Sequence, residues 1–300
     1  NPSGTCLIVS PEPVSREHLD AYFERFGRPG NVIEMRPDEV GGLEDASVDD
    51  MLVFGADADV METLFAKAAN QCLINLVTRG ESFGRPVSTP LGRVHYGGIR
   101  MVGTRGSCPV ESMERIPERG EIRSGDHINV VGAGGPMGVM HVVRNICEGV
   151  AGVHVYAGDL NDERLAALDK LAASRANENG VDYKSYNAKT NPPEQAFDYV
   201  AIMAPVPMLV AQAVDQCAPG GIINIFAGIQ AGVDGEIDLD AYTEKGLYFI
   251  GTSGSVLEDM KIVMSKVEKG TLDTNVSVAA VCGLDGAVEG IRAVERQEIP

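Results

Sequence analysis

The sequence predicts an α/β fold: parallel sheets with helices on both faces, in two tandem related copies of which the first is incomplete. Three observations predict it. Apolar segments of strand length alternate with segments of helical period. The chain repeats itself at a fixed offset. A glycine-rich turn near residue 132 joins a buried strand to an apolar helix. The copies are expected at 1–122 and 123–300.

The second copy is the more complete. Ile128–Val131 reads as a short buried strand and Met137–Cys147 as an apolar helix. Val153–Gly158 is the next strand, followed by a helix from about Asn161 to Ala173. Further strands are expected at Val181–Ser185, Tyr199–Ala204, Ile222–Phe226 and Tyr248–Gly251, the alternation of βαβ units. The last marked helix opens on a capping box of Ser255 and Glu258. Its apolar face is Val256, Met260, Val263, Met264 and Val267, and Gly270 stops it.

The repeat is read from matched blocks. DMLVFGA near 50 faces DYVAIMA near 198, QCLINLVTRG at 71 faces GGIINIFAGI at 220, and IRMVGTRGS at 99 faces LYFIGTSGS at 247. Asp50 to Asp198 is 148 positions, Asn75 to Asn224 is 149, and Gly103 to Gly251 is 148. The same register pairs LIVSPEPVSREHLDAYF with VYAGDLNDERLAALDKL. The first copy begins with the strand Leu7–Ser10, and nothing before it corresponds to Ile128–Cys147. With no initiator Met either, the chain is expected to be an inner portion of a longer protein.

HINVVGAGGPMGVMHVV carries the chemistry. In a dinucleotide fingerprint one glycine makes the tight turn, a second admits the pyrophosphate and a third lets helix and sheet pack closely. The helix N-terminus offers free N–H groups to phosphate. Gly132, Gly134 and Gly138 are the candidates, with Gly135, Pro136 and Met137 in the turn. The spacing G-x-G-x-x-x-G is one residue longer than usual, so either Gly134 or Gly135 could play the second part. Asp159 lies 21 residues beyond Gly138, where a carboxylate can accept from ribose hydroxyls. The alternative is that it caps the helix that follows. The whole order describes a Rossmann-type domain.

At these residues the chain resembles the medium-chain dehydrogenase/reductase superfamily, the zinc-type alcohol and sorbitol dehydrogenases. The resemblance covers roughly 118–300 and rests on RSGDHINVVGAGG, GDLNDERL, APGGIINIFAG and IDLDAYTEKGLYFIGTSGS. GAGGPMG followed by MHVVR is similar to a sorbose 1-phosphate reductase-like subgroup. The resemblance implies that Arg164 is the basic side chain near the ribose and that Ala204 and Pro205 border the cofactor's path. It places Ala227, Gly228 and Thr252 near the nicotinamide half. It also implies a separate catalytic domain with a zinc ion, and this chain carries no segment of that kind. No metal site is expected here, and any zinc would belong to a segment outside the chain.

Composition narrows the partners. A net charge of −18 repels nucleic-acid backbones and anionic lipid, and no apolar run reaches membrane-spanning length. The start of the chain has no signal-peptide pattern. None of the six cysteines forms C-x-x-C, so the expectation is a reduced, cytoplasmic protein, with a homo-oligomer left open. His95 reads as surface or half-buried, His127 as a solvent-side loop residue, and His141 as packed in the helix or bonded to backbone. GLEDASVDD at 42–50 reads as a solvated loop. No catalytic set can be assembled.

The leading reading is an NAD(P)-dependent oxidoreductase moving a hydride between nicotinamide and a small polyol or sugar derivative, its small-molecule substrate. NAD is expected over NADP, because Asp159 would repel a 2′-phosphate. A non-catalytic dinucleotide-binding or assembly module is the alternative. An S-adenosylmethionine-dependent transferase fits less well, given the GTSGS and IDL blocks.

Overall fold

The computed structural model describes residues 4–118, 120–251, 256–278, 280–296 and 298. In chain order the elements begin β1 (Thr5–Val9), α1 (Arg16–Phe26), β2 (Asn31–Met35), β3 (Val48–Phe54), α2 (Ala58–Lys67), β4 (Ala68–Val77), β5 (Val87–Thr89), α3 (Leu91–Gly97), β6 (Arg100–Thr104) and α4 (Val110–Met113). They continue β7 (His127–Val131), α5 (Pro136–Cys147), β8 (His154–Asp159), α6 (Asp162–Asn179), β9 (Asp182–Asn187), β10 (Phe197–Ile202) and α7 (Pro207–Gln216). Last come β11 (Cys217–Ile225), β12 (Gly235–Ile237), α8 (Leu239–Lys245), β13 (Tyr248–Gly251), α9 (Leu257–Glu268) and α10 (Ala287–Glu295).

Two compact units form, Asn1–Glu121 with Gln195–Ser253, and Ile122–Glu194 with Gly254–Pro300. Residues 195–253, expected with the second copy, cluster with the first unit instead.

The first unit orders its strands β2-β1-β3-β4-β6-β13-β11-β10. Neighbours run parallel, except that β6 and β13 meet antiparallel. A small antiparallel pair joins β5 to β12. Alternation along the strands sends side chains to both faces, and both are buried. Cys6, Ile8, Leu52 and Phe54 pack with Leu19, Tyr22 and Phe23 of α1. Leu7, Val9, Met51 and Val53, which alternate with them, are buried too, as are Met61, Leu64 and Phe65 of α2.

The segments paired by the repeat take matching forms within this unit. In β3–β4 the register slips between the pairs Val48↔Ala68 and Asp50↔Leu73. In β10–β11 it slips in the same place, between Phe197↔Cys217 and Tyr199↔Ile222. The matched helices α3 and α8 are exchanged across the antiparallel junction. A Cβ on Gly103 of β6 would lie 2.6 Å from Thr243 Cγ2 of α8, and one on Gly251 of β13 would lie 2.3 Å from Val94 O of α3. Each glycine thus lets a helix of the opposite half approach its strand.

β6 and β13 pair at Met101↔Phe249. The hydroxyl of the fully buried Tyr242 stands between these two backbones. It donates to Met101 O at 2.5 Å and accepts from Phe249 N at 2.9 Å. Burial holds the phenol well above its ordinary pKa, so it stays neutral and can act as both donor and acceptor.

In the second unit β8 pairs in parallel with β7 and β9. On α5, Gly138, Val142, Val143 and Ile146 are buried, and on α6, Leu165, Leu168, Ala172 and Ala176. The α6 helix runs past its predicted end because Ala176 prolongs the buried stripe, and Gly180 at φ +65° closes it. The apolar residues predicted for one face of α9, among them Val256 and Met264, are exposed.

Local expectations change in three places. Val48–Asp50 of the predicted acidic loop belong to β3, and Asp49 Oδ2 accepts from Thr5 N at 2.7 Å. The carboxylate at the start of α9 is that of Asp259, which accepts from Val256 N, where Glu258 was expected; Ser255 lies outside the described residues. His127 is the first residue of β7, its ring stacked on His154 at 4.5 Å, and is no loop residue.

Replacing Tyr242 by Phe should strand a buried N–H and a buried C=O at the β6–β13 pair. It is expected to destabilise the chain by about 1–3 kcal/mol, read from the midpoint of denaturant unfolding.

Candidate functional site

β7 is buried on both faces, with the polar Asn129 on one of them, and ends at the glycine turn. Gly132 takes φ +83°, a conformation that side-chain-bearing residues rarely adopt, and its N–H and that of Ala133 bond to Gly158 O of β8 at 2.9 Å. The turn is thereby stitched to the neighbouring strand before α5 begins.

The other three glycines of the motif serve three separate requirements. A Cβ on Gly138 would sit 2.3 Å from Gly132 O, so this position sets the close approach of α5 to the end of β7. A Cβ on Gly134 would lie 2.9 Å from Asp159 Oδ2 and 2.7 Å from Arg164 Cβ. Gly135 is the N-cap of α5, and a Cβ there would meet nothing nearer than 3.7 Å. Gly134 is therefore the glycine that close approach demands, and Gly135 the one that opens the helix.

Gly135 offers no side-chain oxygen to the first turn of α5, whereas Asp57, Asn161 and Asp238 cap α2, α6 and α8. Pro136 at the first helical position has no N–H, and Val139 N already bonds to Gly135 O. The amides of Met137 and Gly138 remain as the orphan donors of this helix end.

Asp159 closes the β8 side of the turn. Its Oδ2 accepts from Gly134 N at 2.9 Å, and its Oδ1 accepts from Leu160 N at 2.8 Å and Asn161 N at 3.0 Å. It does not cap α6. That is done by Asn161, whose Oδ1 accepts from Glu163 N and Arg164 N. A carboxylate has about four acceptor positions, so Asp159 keeps one free while its own backbone bonds are made. Arg164 is exposed beside Gly134.

The second unit thus brings Gly132, Gly134, Gly135, Pro136, Met137, Gly138, Asp159 and Arg164 together. Ala204, Pro205, Ala227 and Gly228 belong to the first unit. There Ala227 N bonds to Ile202 O at 2.8 Å, setting the turns after β10 and β11 side by side. Thr252 lies outside the described residues. Of the other candidates, His95 is buried rather than surface or half-buried, with Nδ1 2.9 Å from Ile225 O. His141 Nδ1 lies 2.9 Å from Met137 O, a backbone contact as expected.

Sequence reasoning missed two supports. Asn161 fixes the start of α6 and with it Arg164; the signal was an Asn followed by two acids at a helix start. Tyr186 packs where a Cβ on Gly158 would come within 2.4 Å of its ring, and its hydroxyl donates to the buried Asn129 at 2.9 Å. Nothing in the motif spacing announces that contact. Among the described residues no three His, Cys, Asp or Glu side chains cluster as metal ligands would, and no helix is long and apolar enough to cross a membrane.

No family model matches the chain. It is 27% identical over 183 residues to YggP, an uncharacterised protein of Escherichia coli (strain K12), covering 57% of this chain and 43% of that protein. It is 28% identical over 174 residues to the L-threonine 3-dehydrogenase of Shewanella pealeana, covering 57% of this chain and 48% of the other. The chain spans about half the length of these curated relatives. A similar solved structure is a short chain alcohol dehydrogenase from E. coli CFT073 complexed with NADH, with TM-score 0.48 and 21% identity over 61% of this chain and 52% of that one. Another is the alcohol dehydrogenase TADH from Thermus sp. ATN1, with TM-score 0.45 and 21% identity over 60% and 52% of the two chains.

Gly138→Ala should force β7 and α5 apart. The expected cost is roughly 1–3 kcal/mol, seen as a lowered midpoint of thermal unfolding. Gly135→Ala, with open space around it, should shift that midpoint far less.

Proposed function

We propose that this chain binds NAD at the glycine turn and forms the cofactor-handling part of an NAD-dependent oxidoreductase of the alcohol and polyol dehydrogenase type. One observation carries the reading. A glycine turn that two would-be Cβ clashes keep bare, Gly134 against Asp159 and Gly138 against Gly132, opens an uncapped helix beside a carboxylate with acceptor capacity to spare. Those are the parts that a pyrophosphate and a ribose require. The 28% identity to a dehydrogenase supports the reaction class.

Bound there, NAD would supply hydride-transfer chemistry. The chain's own residues do the holding. The Met137 and Gly138 amides would donate to the pyrophosphate, with the positive end of α5 behind them. Gly134 N, freed from Asp159, would join them as the carboxylate turns to the ribose hydroxyls. The proposed substrate is a small polyol or sugar derivative, and the sorbose 1-phosphate reductase-like group is one such case. Groups that move the substrate's proton, and any zinc, are assigned to a part of the protein other than this chain. The protein is proposed to work in the cytoplasm.

Calorimetric titration should show tighter binding of NAD than of NADP, because Asp159 and the acidic start of α6, Asp162 and Glu163, oppose a 2′-phosphate. Asp159→Ala should shrink the preference; a chain that binds NADP more tightly would overturn the assignment. Binding should disappear when Gly134→Asp and Gly135→Asp are combined. The purified, metal-stripped chain should not oxidise polyols in the presence of NAD, and steady reduction of the cofactor would place catalytic groups within it.

A further inference from the structure

α9 differs from the other long helices of the second unit in burying none of its residues. Only Ser265 and Lys266 of this helix are even half-buried. Lys266 ties that side down, its Nζ donating to Glu148 Oε2 at the end of α5 at 2.5 Å. Successive residues of a helix turn by about 100°. On that wheel Leu257, Met260, Met264 and Val267 make one stripe, with Val256 and Val263 along its edge. The stripe faces away from the side that carries Ser265 and Lys266. Its four residues are 65, 51, 63 and 42% exposed. A contiguous apolar stripe left in water marks an interaction surface.

The stripe matches itself. Its steps of three, four and three residues are those of a coiled-coil seam. Counted from Ile262, Leu257 and Val267 lie five residues to either side, and Met260 and Met264 lie two. An antiparallel second α9 therefore sets Leu257 against Val267 of the second copy, and Met260 against Met264 of the second copy. Each contact occurs twice, as a two-fold axis requires. Charge selects the same direction. Glu258 and Asp259 stand in the first turn, Lys266 in the last, and Lys269 follows it. Antiparallel helices bring the acidic start of each beside the basic end of the other and oppose their dipoles, whereas a parallel pair would bring like charges together.

We infer that α9 is a docking surface for a second copy of this chain, joined through an antiparallel α9 pair about a two-fold axis level with Ile262. The helix is about 18 Å long, so the seam is smaller than that of a permanent dimer and the pairing is reversible. The pairing uses no residue of the glycine turn and does not depend on NAD binding.

Sedimentation equilibrium of the full chain is the test. A monomer–dimer equilibrium is expected, with Kd of roughly 10–100 μM. Met260→Glu and Met264→Glu together put two carboxylates per copy into the seam and should leave the chain monomeric up to about 200 μM. The thermal midpoint should not move, because both side chains are exposed. Ile262→Glu, the same change on the opposite side of the helix, should leave the dimer intact. On the unaltered chain a lysine-reactive cross-linker should join Lys261 of one copy to Lys261 of the second copy, beside the axis. The proposal fails if the chain stays monomeric at about 200 μM, which would assign the stripe to a different partner. It also fails if the dimer survives the paired Met→Glu changes, if Ile262→Glu abolishes it as fully, or if the dimer yields no link between the two Lys261 side chains.

Discussion

Tyr242 does what a β-ladder hydrogen bond would do, where the large sheet of the first unit changes direction between β6 and β13. Its hydroxyl accepts from Phe249 N and donates to Met101 O, relaying a bond across β6 and β13. Because it is fully buried, neither backbone group could turn to water instead. Around it the two halves exchange helices, with α8 seated on Gly103 and α3 on Gly251. Asp240 of α8 reaches the loop after β4, accepting from Ser82 Oγ, Phe83 N and Gly84 N. Arg93 of α3 donates to the carbonyls of Phe65 and Ala68, and Lys245 of α8 to those of Val214 and Asp215. Two basic side chains thus satisfy carbonyls at the ends of α2 and α7.

The glycine turn follows a different logic. Its architecture is set by backbone closeness, and its charge is set by one carboxylate. Asp159 spends three acceptor positions on its own chain, on Gly134, Leu160 and Asn161. Those bonds keep the carboxylate aimed without a ligand, at the cost of one donor that a phosphate would otherwise use. Positioning by the second strand and bareness of the first turn are therefore two readings of one contact.

Much of this was legible in the sequence where a single residue type carries a requirement. Apolar runs placed β7, β8, β10 and β11, and glycine spacing placed the turn. The register of the repeat paired Asn75 with Asn224, and both occupy equivalent positions on β4 and β11. What sequence could not give was set by contacts across long separations. Whether Gly134 or Gly135 must be bare depends on where Asp159 and Arg164 point. His95 is buried because Ile225 O, 130 residues away, lies beside it. Acidity misled at 42–50, where Asp49 and Asp50 lie in a strand because Thr5 N supplies one of them with a partner. The end of α6 was missed because alanines carry its buried stripe, and alanine periodicity is faint.

The helix exchange also bears on how the chain is made. A ribosome extends a chain at about 5–20 residues per second, so β6 is finished well before the segment that will cover Gly103 exists. α8 begins 135 residues after Thr104, a delay of roughly 7–27 seconds at that pace. For that time the nascent N-terminal half carries an uncovered strand edge and an unfilled notch at Gly103. Such edges invite pairing with other chains. The order of synthesis therefore leaves this half open to off-pathway pairing until α8 emerges, and a slow translation stretch between residues 105 and 239 would lengthen that exposure.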